Sequence, residues 1–245
     1  MNKWLVTIQT FQMIYKNSKY ISNIFNNVSS KYDFFNNLFS LGLHFLWKRK
    51  LIGLLKPKIG EEWADLCCGT GDMSFLLNEL VFPSGKVFGI DISEKLLKIA
   101  RRKSNKLGNS VINWEKKDIF DLDTKFKKYD GICMSYGLRN LRNVDDGIQK
   151  VFLLLKDNGR AGFLDFNHAK ENSISSIFQK LYLRFIVVPI SGLFNLKAEY
   201  SYIEKSIKDF PKAPQLIYIA KKIGFKKVKY ITLFGDQMGI LLLQK

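Results

Sequence analysis

The feature that most constrains the fold is Glu62-Trp63-Ala64-Asp65-Leu66-Cys67-Cys68-Gly69-Thr70-Gly71-Asp72, followed by Met73-Ser74-Phe75-Leu76-Leu77. It reads as a short buried strand, a tight turn with two glycines one residue apart, and an amphipathic helix. Glycine has no Cβ and tolerates positive φ, so backbone N–H groups in such a turn approach a ligand closely. The turn also aims a helix N-terminus at that ligand, and Asp65 and Asp72 flank it with carboxylates. This is the opening of a nucleotide-cofactor site in a doubly wound sheet.

From residue 62 onward the pattern alternates. Strands are predicted at 62–66, 86–90, 111–115, 130–134 and 160–166, and helices at 72–80, 93–105 and 144–155. Regular β-α alternation implies a parallel sheet with helices on both faces. Two last strands, Lys226–Leu233 and Met238–Leu243, flank the turn Gly235-Asp236, so a hairpin should close the sheet with an antiparallel strand. That closure distinguishes methyltransferases from nucleotide dehydrogenases. The expected architecture is a single α/β domain over 1–245. Helices within 1–56 and an insertion at 168–222 should cap the carboxyl ends of the strands, where ligands bind in such folds. At the N-terminus Trp4, Ile8, Phe11 and Tyr15 recur at helical spacing, and a second helix runs from Leu43 to about Leu55, ended by Pro57-Lys58-Ile59-Gly60.

The residues around the turn narrow the cofactor. A third glycine, which lets helix and strand pack closely in pyrophosphate binders, is missing, and no lysine follows the turn as in a phosphate-cradling loop. Acids on both sides make a poor host for phosphates and a better one for a cationic amino acid. Asp91 ends the second strand about twenty residues after Gly71, where a carboxylate accepts both hydroxyls of a ribose, with Ile92 beside it. After the third strand, Asp118 can accept from an adenine amino group with Ile119 against the ring, and the fourth strand ends at Ser135. Any one of these acids taken alone is as well explained by a helix cap or turn. Together they point to S-adenosylmethionine, bound by Asp65, Gly69, Gly71, Asp91, Ile92, Asp118, Ile119 and Ser135. The expected fold is thus a class I S-adenosylmethionine-dependent methyltransferase.

The 39 Lys and Arg against 22 Asp and Glu leave a net charge of +17. Nucleic acid, an anionic membrane surface or an acidic substrate would each suit it, as would a plain lysine-rich composition. An amino-directed nucleic-acid methyltransferase needs an Asn/Asp-Pro-Pro-aromatic turn after the fourth strand to hold a flipped base; here the turn is Ser135-Tyr136-Gly137-Leu138. The C5-directed kind needs a Pro-Cys nucleophile, and no cysteine here follows a proline. A non-catalytic S-adenosylmethionine-binding subunit is the other reading from a different class. The three cysteines form neither a disulfide framework nor a spaced zinc site, so no metal is expected and a reducing compartment is. No run of about 18 apolar residues suggests a membrane span. The first twenty residues read as neither signal nor transit peptide.

Three further motifs carry a resemblance: Tyr32-Asp33-x-x-Asn36-x-x-x-Ser40-x-Gly42-x-His44-x-x-Trp47, Gly137-Leu138-Arg139-Asn140, and Glu199-Tyr200-Ser201-Tyr202 through Ser206-Ile207 to Phe210-Pro211. With the glycine turn they resemble the ubiquinone/menaquinone biosynthesis C-methyltransferases, from about Ser29 to Lys245. Asp165-Phe166-Asn167, the Cys67-Cys68 pair and Ile186-Val187-Val188-Pro189 are similar to the cyanobacterial and plastid branch, which methylates 2-phytyl-1,4-naphthoquinone in phylloquinone synthesis. Phe35 stands where the family usually has Met, and Leu155-Lys156-Asp157-Asn158-Gly159 where it has Leu-Lys-Pro-Gly-Gly.

The resemblance implies that Thr70, Asp91, Asp118, Ile119 and Ser135 contact the cofactor, and that the methyl goes to a ring carbon of reduced demethylphylloquinone, or alternatively of demethylmenaquinone in menaquinone synthesis. A quinol carbon is nucleophilic once its hydroxyl loses a proton, so help with that proton is needed, directly or through water. The candidates are Tyr32, His44, Arg139 and Asn140: Arg139 and Asn140 beside the cofactor to hold the phenolate or its water, Tyr32 to complete the network, and His44 as either a base or a packed group. A prenylated quinol implies peripheral contact with a membrane surface. The expected location is the plastid stroma at the thylakoid periphery, or else the cytoplasm of a cyanobacterium.

Overall fold

The computed structural model describes residues 17–108, 111–126, 128–168, 197–233 and 235–245. The expected N-terminal amphipathic stretch around Trp4–Tyr15 and the apolar run at 177–194 lie outside the described residues. Numbered through the described part, the helices are α1 (Ser18–Val28), α2 (Tyr32–Ser40), α3 (Leu43–Leu55), α4 (Asp72–Val81), α5 (Glu94–Lys106), α6 (Val144–Leu154), α7 (Lys197–Lys208) and α8 (Ala213–Ile223). The strands are β1 (Glu62–Leu66), β2 (Lys86–Asp91), β3 (Ile112–Lys116), β4 (Tyr129–Ser135), β5 (Leu155–Phe166), β6 (Lys227–Leu233) and β7 (Met238–Gln244).

The seven strands lie in the order β3-β2-β1-β4-β5-β7-β6. β1 to β5 are parallel, while β7 runs antiparallel between β5 and β6. Strand order reverses at β1 and β4, which opens a crevice at their carboxyl ends. Apolar residues alternate across β1. Trp63 packs with Leu51 of α3 and Leu77 of α4 on one face, while Ala64 and Leu66 face a core shared with Ile148 of α6 and Leu216 of α8. Helix starts follow the capping rules: Ser93 Oγ accepts from Leu96 N at 3.2 Å on α5, and Asn143 Oδ1 accepts from Asp145 N at 2.8 Å on α6.

Two expectations change. β5 begins at Leu155, directly after α6, rather than at 160. Leu155 is fully buried and pairs with Tyr129, after which the register jumps to Gly131 against Arg160. The polar Lys156-Asp157-Asn158-Gly159 bulges outward, with Asn158 at φ 62°. Nor is the whole of 168–222 a cap. Leu216 and Ala220 put α8 into the sheet's helical layer, because its apolar stripe meets α6 and β7. α1 lies inside the 1–56 stretch named for a cap: Ile21, Ile24 and Val28 are buried at helical spacing, and Ile21 and Ile24 cluster with Tyr202 of α7.

Candidate functional site

A cavity of about 700 Å3, counted with its open mouth, lies over the ends of β1, β2 and β4. Its floor is Leu66, Cys67 and Gly69 after β1, and Asp91 and Ile92 after β2. Lys117, Asp118, Ile119 and Phe120 follow β3, and Ser135, Tyr136, Gly137 and Asn140 follow β4. Ser18, Ile21, Phe25 and Tyr32 close it from α1 and the start of α2.

The glycine turn is held by the acid after β2. Gly69, at φ 57°, donates its N–H to Asp91 Oδ2 at 2.9 Å, and Ser93 N donates to Oδ1 at 2.8 Å. Burial nevertheless raises the Asp91 pKa, which marks a carboxylate that would gain from further donors such as sugar hydroxyls. Gly71 has φ 91°, and a Cβ there would lie 2.5 Å from the Trp114 ring. Asp118 caps the following turn by accepting from Phe120 N at 2.9 Å, and its other oxygen accepts from Ser18 of α1. Buried Ile119 stands beside it on the wall. Ser135 Oγ is buried at this wall with no hydrogen-bond partner among the described residues. Such a group calls for a ligand partner. An apolar slot, a ribose-type carboxylate and an unsatisfied hydroxyl fit S-adenosylmethionine, with Asp91, Ile92, Asp118, Ile119 and Ser135 as the residues that would hold it.

Two predicted cofactor residues sit elsewhere. Asp65 shares the Trp63 side of β1, so it points under the turn, where it accepts from Ser74 Oγ at 2.6 Å and Cys133 Sγ at 3.5 Å. Burial raises its pKa to about 7. Thr70 is also buried away from the cavity, its hydroxyl donated to Asp33 Oδ1 at 2.6 Å. That contact belongs to a polar chain joining α2 and α3 to the turn. Lys103 Nζ pairs with Asp33 at 2.8 Å and with Asp72 at 3.4 Å, and buried Lys48 pairs with Asp72 at 2.7 Å. Burial alone would raise the Asp72 pKa; the two ammonium groups overturn this and lower it.

The predicted chemistry residues divide in the same way. Tyr32 and Asn140 line the cavity. Burial pushes the Tyr32 pKa up to about 12, so it is a neutral donor at neutral pH. Asn140 Nδ2 donates to Tyr136 O at 2.9 Å, and its Oδ1 accepts from Tyr202 OH at 3.1 Å. Arg139 is not on the cavity wall. Its Nη1 donates to Asp165 Oδ1 at 2.7 Å and to Tyr136 O at 2.8 Å, and its ring neighbours are Phe166 and Tyr136, at 5.0 and 5.9 Å. Burial would lower its pKa, but the Asp165 carboxylate holds it above the ordinary value. Tyr136, whose carbonyl anchors both neighbours, has φ 60°. His44 is not among the residues lining the cavity: Nδ1 bonds Ser40 Oγ at 2.6 Å and its ring lies 3.9 Å from Phe45. Burial, helped by the Lys48 charge, lowers its pKa to about 4. The imidazole is therefore neutral at neutral pH and packed against Phe45.

Asp165 and Tyr202 were not among the predicted site residues. Both stood in motifs already distinguished by sequence, Asp165-Phe166-Asn167 and Glu199-Tyr200-Ser201-Tyr202, but neither motif says which residue it supports. Among the described residues no cluster of His, Cys, Asp and Glu could hold a metal ion, and no helix is long and apolar enough to cross a membrane.

Comparison with known proteins agrees with this geometry. The chain is 34% identical over 226 residues to a 2-phytyl-1,4-naphthoquinone methyltransferase of Nostoc punctiforme, covering 92% of this chain and 98% of that one. It is 36% identical to the protein of the same name from Thermosynechococcus vestitus, covering 92% and 99%. To the chloroplastic 2-phytyl-1,4-beta-naphthoquinone methyltransferase of Arabidopsis thaliana it is 33% identical, covering 89% and 85%. Among solved structures, a possible histamine N-methyltransferase of Thermotoga maritima, described as S-adenosylmethionine-dependent, matches with TM-score 0.64 at 16% identity, covering 91% and 98%. A magnesium protoporphyrin IX methyltransferase of Synechocystis with bound S-adenosylhomocysteine matches with TM-score 0.54 at 19% identity, covering 82% and 83%. The fold is therefore that of the class I S-adenosylmethionine-dependent methyltransferases. Residues 13–242 match the model of the ubiE/COQ5 methyltransferase family, and the chain belongs to that family.

Proposed function

We propose that this chain methylates a ring carbon of reduced 2-phytyl-1,4-naphthoquinone, the last methylation in phylloquinone synthesis, with S-adenosylmethionine as methyl donor. The observation that carries this reading is the activity shared by its cyanobacterial and plant relatives, each matched over about nine-tenths of the chain. When bound, the donor supplies a methyl group on a sulfonium, already a good leaving group. The residues must then hold the quinol and help its proton away. Tyr32 and Asn140, both on the wall, would orient the hydroxyl and a water that takes its proton. Tyr32 donates to the anion as it forms, since its own proton is held tightly. Tyr202 fixes the Asn140 amide, and the Arg139–Asp165 pair holds the Gly137–Asn140 turn that presents Asn140 to the cavity. Alignment of the two reacting carbons supplies much of the remaining acceleration.

The prenylated substrate places the enzyme at a membrane surface, which suits the net charge of +17. The relatives' sources suit a plastid or a cyanobacterium, with the plastid stroma at the thylakoid periphery as the finer reading. The direct test supplies purified protein with methyl-labelled S-adenosylmethionine and chemically reduced 2-phytyl-1,4-naphthoquinone in mixed micelles. Label in phylloquinone is the expected result. Tight binding of the donor with no label in the quinol would overturn the proposal.

A further inference from the structure

The corner where α2 meets α3 presents four apolar side chains to solvent within nine residues. Leu38 is 38% exposed, Leu41 80%, Phe45 47% and Leu46 58%. Leu41 forms the tip and sits at φ 50°, a conformation that leucine disfavours and glycine or asparagine tolerate. A leucine that is strained and four-fifths exposed stabilises neither the local backbone nor the core. Its use lies in something the corner meets.

The charge around the corner says what that is. Between Asp33 and Glu61 the sequence contains no acidic residue. On α3, Arg49 and Lys50 are exposed and stand four residues after Phe45 and Leu46, on the same helix faces. One turn of helix separates the apolar pair from the basic pair by about 6 Å. That is the depth over which a bilayer surface passes from acyl chains to phosphates, and interfacial helices bury their apolar face by about 5–10 Å. A second copy of the chain is the poorer fit, since a two-fold interface would bring the basic collars together. We infer that the α2–α3 corner is the membrane foot of this protein: Leu38, Leu41, Phe45 and Leu46 enter the acyl boundary of an anionic lipid surface while Arg49 and Lys50 pair with its phosphates. The inference rests on the prenylated-quinol reading for its purpose, but not for its test. Tyr32, at the other end of α2, lines the cavity, so a docked corner holds the cavity within about 14 Å of helix from the lipid.

The test is sedimentation of the full chain with vesicles of phosphatidylcholine alone or with phosphatidylglycerol, comparing wild type, Leu41→Asn/Leu46→Asn and Arg49→Glu/Lys50→Glu. The leucine pair should weaken partitioning onto anionic vesicles by roughly tenfold or more. Charge reversal should do so by at least about fivefold per residue, and only at low salt. Both variants should keep wild-type circular dichroism and wild-type turnover of a tail-less naphthoquinol, while losing turnover of vesicle-borne 2-phytyl-1,4-naphthoquinol. Unchanged vesicle binding by the leucine pair overturns the proposal, as does a wild-type dimer in solution that the same pair dissociates. If binding drops as expected while no quinol is methylated by any form, the substrate reading fails and the membrane foot stands.

Discussion

Replacing Asp165 with Ala tests how the turn Gly137–Asn140 is held. Asp165 and Arg139 are 3% and 5% exposed. One carboxylate accepts from Arg139 Nη1 at 2.7 Å, from the Arg139 backbone N–H at 3.1 Å and from Phe166 N at 2.9 Å. Arg139 Nε already has no hydrogen-bond partner among the described residues. The substitution therefore strands a buried cation, the buried Arg139 amide and the half-buried Phe166 amide. Breaking a buried pair from one side costs about 3–5 kcal/mol, and a buried amide left unsatisfied about 1–3 kcal/mol. These do not add, because water can enter the space the carboxylate leaves. We expect a net loss of about 4 kcal/mol, or roughly 8–16 °C in Tm for a chain of this size.

Urea unfolding followed by tryptophan fluorescence measures this, and a double-mutant cycle isolates its origin. In Asp165→Ala/Arg139→Met the stranded charge is gone, so the double variant should be more stable than Asp165→Ala alone by about 1–2 kcal/mol. An Asp165→Ala loss below about 1 kcal/mol, or a double variant that equals the sum of the singles, would refute the reasoning. Arg139 would then be held by Tyr136 O and ring packing, and Asp165 would be a bystander.

The remaining predictions concern the turn and the cavity. Ser135→Ala should leave urea stability within about 0.5 kcal/mol and weaken S-adenosylmethionine binding about tenfold in calorimetry, since its buried hydroxyl awaits a ligand; undiminished affinity removes Ser135 from the site. Gly71→Ala forces an L side chain to φ 91° and against Trp114, and should cost about 2–4 kcal/mol by urea titration; a wild-type midpoint would mean that the turn tolerates side chains. Asp65, with a folded pKa of about 7 above its ordinary 3.8, contributes stability that is complete below pH 4 and lost as pH rises to 7. The stability of Asp65→Asn relative to wild type should accordingly climb between pH 4 and 7, by up to about 4 kcal/mol. Parallel stability curves across that window would show that Asp65 titrates normally.

Most of the fold was legible because period-2 and period-3.6 patterns switch cleanly after residue 62. The β1 turn, Asp91 and the closing hairpin all fall where the alternation puts them. The start of β5 was not legible, since Lys156-Asp157-Asn158-Gly159 looks like the end of a connection. What makes Leu155 a strand residue is its burial beside Tyr129, a tertiary fact. α8 was missed for a related reason. Lys212, Pro214 and Gly224 mark its ends, but its apolar stripe acquires meaning only from α6 lying opposite.

At the site, sequence identified residue types and structure decided where they face. Asp91 and Ser135 end strands and Asp118 follows one, all at the carboxyl edges that form the crevice, so their positions alone placed them at the cavity. Asp65 lies one residue from Leu66, which lines the cavity, yet strand alternation turns it to the opposite face, and its buried partners are Ser74 and Cys133. Thr70 sits between the two glycines and still gives its hydroxyl to Asp33, a residue of α2. The same chain of contacts, Thr70–Asp33–Lys103–Asp72–Lys48, binds the helices that carry Tyr32 and the exposed corner to the cofactor turn. Residues named for the cofactor and residues named for the substrate thus share one network of contacts, in which the buried Lys48–Asp72 pair is the firmest link and the half-exposed Lys103–Asp33 pair the weakest.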